Sequence, residues 1–107
     1  MQKGEIWLIK LDETKGHEQI GTRPGLIIGK GNRLNVIIPI TSNLDRSNLS
    51  FTEIIDCSKE NGLKEDSVAL IFQIRSLDES RFIRKLGKIK QEKYEAIHAL
   101  LIDMTKL

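Results

Sequence analysis

Cysteine occurs once and proline twice in this chain, and its aromatic residues number one tryptophan, one tyrosine and three phenylalanines. Cys57 alone cannot close an internal disulfide, which suits a reducing compartment. A lone thiol acts as a nucleophile only beside an activating base. Cys57 instead follows Asp56, and a carboxylate raises a thiol pKa, so Cys57 reads as structural. No apolar run approaches the ~20 residues that span a bilayer. Charges in the opening MQKGEIWLIK interrupt any secretory apolar region, so the expected location is the cytoplasm, with no membrane partner. Only two histidines are present, His17 and His98. Neither has a paired cysteine or an acidic cage beside it, so no metal site and no cofactor are expected. The chain also lacks a phosphate-binding G-x-x-x-x-G-K-[ST] loop and a G-x-S-x-G nucleophile turn.

What is present fits one globular domain, residues 1–107, with 39% hydrophobic and 30% charged residues. The net charge of +2 implies no partner by itself. Its distribution says more. Residues 75–90 hold six basic against two acidic side chains, a local net of +4, and residues 53–66 a local net of −3. Such asymmetry can create one basic face for phosphates.

Short apolar runs alternate with turn-rich stretches. Strands are expected at 5–11, 25–29, 35–40, 50–56, 68–74 and 81–89. KGNR (30–33) is a hairpin-turn signal, and Pro39 suggests an edge or a bulge. Residues 12–22, 41–48 and 58–67 read as loops, and 78–81 as a short helical turn. From Gln91 onward, Tyr94, Ile97, Leu101 and Met104 fall at spacings of three, four and three, with Leu100 widening the stripe. That spacing predicts an amphipathic helix, with His98 at its boundary. The expected fold is mainly β, a compact antiparallel barrel or sheet with a C-terminal helix.

Polar residues concentrate at strand ends. GHEQIGTRPG (16–25) combines an imidazole, a carboxylate, an amide and a guanidinium. PITS (39–42) presents Thr41 and Ser42, and FQIRS (72–76) carries Gln73 and Arg75. Each alone has an ordinary structural use; together they suit an anion site.

At these residues the sequence resembles the MazF/Kid/PemK family of toxin endoribonucleases. GEIWLIKLDETKGHEQIGTRPGLIIG resembles the family's opening strand, loop and second strand. NVIIPITS resembles its third strand, SVALIFQIRSLDESR its central strand and turn, and LGKI its next strand. The resemblance implies an SH3-like β barrel (MazF/PemK/CcdB-like), a homodimer, cleavage of single-stranded RNA and inhibition by a cognate antitoxin. It puts the cleavage pair on Arg23 and Thr41. It also aligns an acidic residue with Glu18, the first choice to accept the 2′-OH proton, with His17 (reference pKa ~6.5) as the alternative. His17, Gln19, Ser42, Gln73, Arg75, Arg81, Arg84 and Lys85 are the expected RNA contacts. Phe72 stands where many members carry an acidic residue, and Ser76 where many carry threonine. The competing reading is a non-catalytic, CcdB-like toxin that binds DNA gyrase.

Overall fold

Alternating isoleucines build the frame. In the computed structural model, which describes residues 1–11 and 21–106, β1 (Glu5–Leu11), β2 (Gly21–Gly31) and β3 (Leu34–Thr41) form an antiparallel meander. The β2–β3 connection is a two-residue turn. Asn32 and Arg33 both have positive φ, 53° and 66°, as a type I′ hairpin requires. The turn thus falls inside the expected KGNR.

β4 (Thr52–Ile55) pairs with β5 (Ser67–Leu70), and β5 continues onto the end of β3. β6 (Arg75–Asp78) pairs with the first half of β3, and β7 (Phe82–Lys88) pairs with β1. The strand order is β4-β5-β3-β2-β1-β7, with β6 on β3 beside that path. β6 and β7 are consecutive, joined by a 3-10 turn at Glu79–Arg81. The sheet therefore curls until its two borders are served by neighbouring pieces of chain. The result is barrel-like, although no β6–β7 ladder closes it among the described residues. Pro39 sits between the stretch of β3 paired to β6 and the stretch paired to β5. A missing N–H is tolerated there because the ladder is interrupted on that side.

The two sheet faces carry two cores. Ile6, Leu26, Ile38 and Ile40 pack with Ile71, Ile89 and Ile97 on one face. Ile9, Ile27, Ile37 and Leu77 pack on the other, inside the curl, with Trp7 and Phe82 meeting edge to face. Each fully buried isoleucine contributes ~1.5–3 kcal/mol. Helix α1 (Gln91–Thr105) covers the first core. Its Tyr94, Ile97, Leu100, Leu101 and Met104 all face that core, as their spacing predicted. His98 lies exposed and stacks on Tyr94.

The expected strand at 68–74 is shorter than its apolar run. It stops at Leu70, and Ile71–Gln73 form a 3-10 turn closed by a hydrogen bond from the Ile74 N–H to the Ile71 carbonyl. Ile71 and Ile74 still pack on the first core, so the run stays apolar although the strand has ended. β6 was not expected as a strand, because RSLD holds one apolar residue. Pairing with Leu34–Ile37 makes it one. The expected strand at 25–29 is longer than predicted, since residues 21–24 pair with β1. Cys57 is exposed rather than packed. A hydrogen bond with the Asp66 carboxylate, more than Asp56, pushes its thiol pKa up.

Candidate active site

A cleft of about 360 Å³ opens where the strands end on the first face. Leu8 of β1, Pro24 of β2 and Ile40 of β3 line its sheet side, and Leu86 and Arg84 of β7 line one flank. Arg84 faces Leu8 across the β1–β7 ladder. The remaining wall is the segment from Gly62 to Ser67. Arg23, half-buried near the start of β2, and Ser42, just past β3, complete the lining.

The segment 58–67 is held by a buried polar knot. Asn61 is 5% exposed. Its side-chain oxygen accepts from the backbone N–H groups of Ser58 (3.1 Å) and Leu63 (2.9 Å), and its amide donates to the Asp56 carbonyl at 2.9 Å. The Lys88 N–H donates to the Glu60 carbonyl at 2.8 Å, which moors the segment to β7. Gly62 has φ +73°, and a Cβ there would collide with the Leu86 carbonyl. The Ser67 hydroxyl donates to the Glu65 carbonyl at 2.8 Å. The segment thus runs from β7 to β5, which three strands separate in the sheet, passing across β1, β2 and β3 as a strap. It presents Lys64 and Glu65 to the cleft.

Thr41 is not among the residues lining the cleft, although its neighbours Ile40 and Ser42 are. Register places it. Gly25 pairs with Pro39, Leu26 with Ile38 and Ile27 with Ile37. Two residues beyond Gly25–Pro39, Arg23 and Thr41 occupy opposed register positions and share the face of Ile27 and Ile37, that of the second core, so Arg23 borders the cleft from its rim. The Thr41 Oγ1 accepts from the Asn43 N–H at 3.2 Å. That leaves the hydroxyl hydrogen for donation. Arg75 pairs with Ile37 of β3 and so stands on this same face, exposed.

Other expected RNA contacts are placed differently. Gln73 is exposed in the 3-10 turn after β5. Arg81 donates to the Lys10 carbonyl at 3.3 Å. Lys85 pairs with Glu5 at 3.3 Å, on the side of the sheet away from the cleft. Glu5 is 9% exposed and also accepts from the Trp7 indole (2.8 Å) and the Gln2 N–H (3.1 Å). Burial alone would raise its pKa. The hydrogen bonds from Trp7 and Gln2, with Lys85, outweigh burial and hold the carboxyl below its ordinary value. His17, Glu18 and Gln19 lie outside the described residues.

The cleft therefore gathers Arg23, Ser42 and Arg84 from the expected set and adds Lys64, Glu65 and Ser67, which sequence reading left in a loop. The one available signal was Asn61-Gly62, a turn dipeptide inside a polar connection. Among the described residues, three cations share this lining with one carboxylate, a balance suited to an anionic ligand. Among the described residues, no three His, Cys, Asp or Glu side chains gather in a metal-binding group, and no helix is long and apolar enough to cross a membrane.

Curled sheet, covering helix and a cleft lined by Arg23, Lys64 and Arg84 at the strand ends together define a small, mainly β protein. The family model described as PemK-like, MazF-like toxin of type II toxin-antitoxin system matches residues 2–105. Endoribonuclease MazF of Staphylococcus saprophyticus is 32% identical over 103 residues, covering 92% of this chain and 85% of that protein. Endoribonuclease PemK of Escherichia coli is 53% identical over 47 residues, 39% of this chain; the match spans only 35% of PemK. Among solved structures, MazF from Deinococcus radiodurans superposes with a TM-score of 0.78 at 22% identity, covering 97% of this chain and 94% of that one. The Mycobacterium tuberculosis toxin MazF-mt6 gives 0.74 at 18% identity, covering 92% and 93%. This chain belongs to the PemK-like, MazF-like toxin family of type II toxin-antitoxin systems.

Proposed function

We propose that this chain is a metal-independent endoribonuclease of the cytoplasm that cleaves single-stranded RNA at short sequences, acts as a homodimer and is silenced by a cognate antitoxin. The observation that carries the reading is Arg23 in a cationic cleft with Arg84, with Thr41 in the opposed register position. Relatives named endoribonuclease support it, and the family match favours it over the gyrase-binding alternative.

The residues suit attack by the RNA's own 2′-OH. The 2′ oxygen bonds to the adjacent phosphorus, and the bond to the 5′ oxygen of the next nucleotide breaks. Arg23 offers a planar fork that neutralises charge growing on the phosphoryl oxygens. Thr41 donates a neutral hydrogen bond to the same group. Arg84 holds a neighbouring phosphate from the β7 flank. Glu18, or His17 in its place, accepts the 2′ proton, and the departing 5′ oxygen takes a proton from solvent to become the 5′-OH.

The products are then a 2′,3′-cyclic phosphate and a 5′-OH end. Cleavage should survive excess EDTA, and a substrate with 2′-deoxyribose just before the cut should bind and remain whole. Arg23→Ala should slow cleavage by about 10²–10³, and Thr41→Ala by less, with circular dichroism unaltered. Cleavage of the deoxy substrate at the same bond, or 5′-phosphate ends, would show that water attacks instead.

A further inference from the structure

The strap over the cleft carries the one carboxylate that lines it among the described residues, Glu65. An acid in a site for a polyanion repels the phosphates that Arg23, Lys64 and Arg84 attract. Its position there needs a different partner on the ligand. The bases of single-stranded RNA present their Watson–Crick edges, and a carboxylate is an acceptor only. Adenine, cytosine and guanine each offer an exocyclic amino group to such an acceptor; the exocyclic groups of uracil are both carbonyls, and they flank its one donor, N3–H, with oxygens that repel a carboxylate. The Glu65 side chain is exposed, and it is the backbone beneath it that is held in place. The Ser67 hydroxyl holds the Glu65 carbonyl, and the Asn61 knot and the Gly62–Leu86 approach moor the strap upstream. A residue that reads a base needs that kind of support.

We infer that Glu65 determines sequence preference: its carboxylate accepts a hydrogen bond from the exocyclic amino group of a base beside the phosphate held at Arg23, and thereby disfavours uracil at that position. The inference rests on the ribonuclease reading above and names the residue that gives that site its selectivity. Lys64, next to it on the strap, contacts phosphate and carries no sequence information.

The test is the cleavage profile of a randomised RNA library with the wild-type chain and with Glu65→Gln, Glu65→Ala and Lys64→Ala. Wild type should show one position near the cut where uracil is disfavoured by about tenfold or more. Glu65→Gln adds an amide donor for the uracil carbonyls and should admit uracil there, while the rate at the original best sites stays within a few-fold. Glu65→Ala should flatten the preference at that position only. Lys64→Ala should weaken binding of all sequences alike. An active Glu65→Gln enzyme with an unchanged profile would overturn the inference and leave the ribonuclease reading standing. Loss of cleavage at every sequence, with circular dichroism intact, would also overturn it, by placing Glu65 in the chemistry. A wild-type chain that cuts no RNA would remove the reading beneath it.

Discussion

Glu5 shows how one side chain links local bonding to stability. It is nearly buried, yet it keeps its charge because the Trp7 indole, the Gln2 amide and Lys85 all serve it. Its pKa in the folded chain lies below the ordinary value near 4.5. The folded state therefore holds fewer protons than the unfolded state between those two values. The resulting stabilisation is present in full above the ordinary value and is lost as pH falls through the lowered one. Glu5→Gln should cost about 1–2 kcal/mol at neutral pH, read as a lower thermal midpoint. It should also flatten the acid limb of the stability curve between roughly pH 5 and the lowered value. An equally steep acid limb in the variant would assign that limb to other carboxylates. Lys85, engaged here, is a weaker candidate for phosphate than Arg84, a distinction invisible in RKLGK.

Among the elements, the strap decides the shape of the cleft. Residues 58–66 have no ladder of their own, so their order rests on Asn61 and on the approach of Gly62 to β7. Asn61→Ala strands the Ser58 and Leu63 N–H groups and the Asp56 carbonyl, at ~1–3 kcal/mol for each left unpaired in the interior. Amide hydrogen exchange at 58–63 should accelerate, and the thermal midpoint should fall. Asn61→Asp keeps the acceptor oxygen and loses the donor, so its effect should be intermediate. Gly62→Ala should destabilise by more than ~1 kcal/mol, because a positive φ and the Leu86 carbonyl both oppose a Cβ. Unchanged exchange in Asn61→Ala would mean that the strap is held by its ends alone.

At the scale of the whole molecule, a 107-residue chain with a cationic cleft of about 360 Å³ offers RNA a short track, and a two-fold pair would lengthen it. Sedimentation at micromolar concentration should give a dimer, with RNA bound across or beside the interface. A fully active monomer would refute that arrangement. Local pattern along the chain was enough for the strands with clean alternation, β1 above all, along with the turn at Asn32–Arg33 and the helix from Gln91. In each, the signal is local: a period of two, a period near 3.6, or a turn dipeptide. The sequence also named Arg23, Ser42 and Arg84 through resemblance and charge. Tertiary structure alone decided that RSLD is a strand, because its partner Leu34–Ile37 lies some forty residues away. It alone decided that the apolar run at 68–74 bends, because Ile71 and Ile74 reach the same core without staying extended. Likewise Lys64 and Glu65 line one cleft with Arg23 only because the strap crosses three strands, an arrangement that no spacing along the chain encodes.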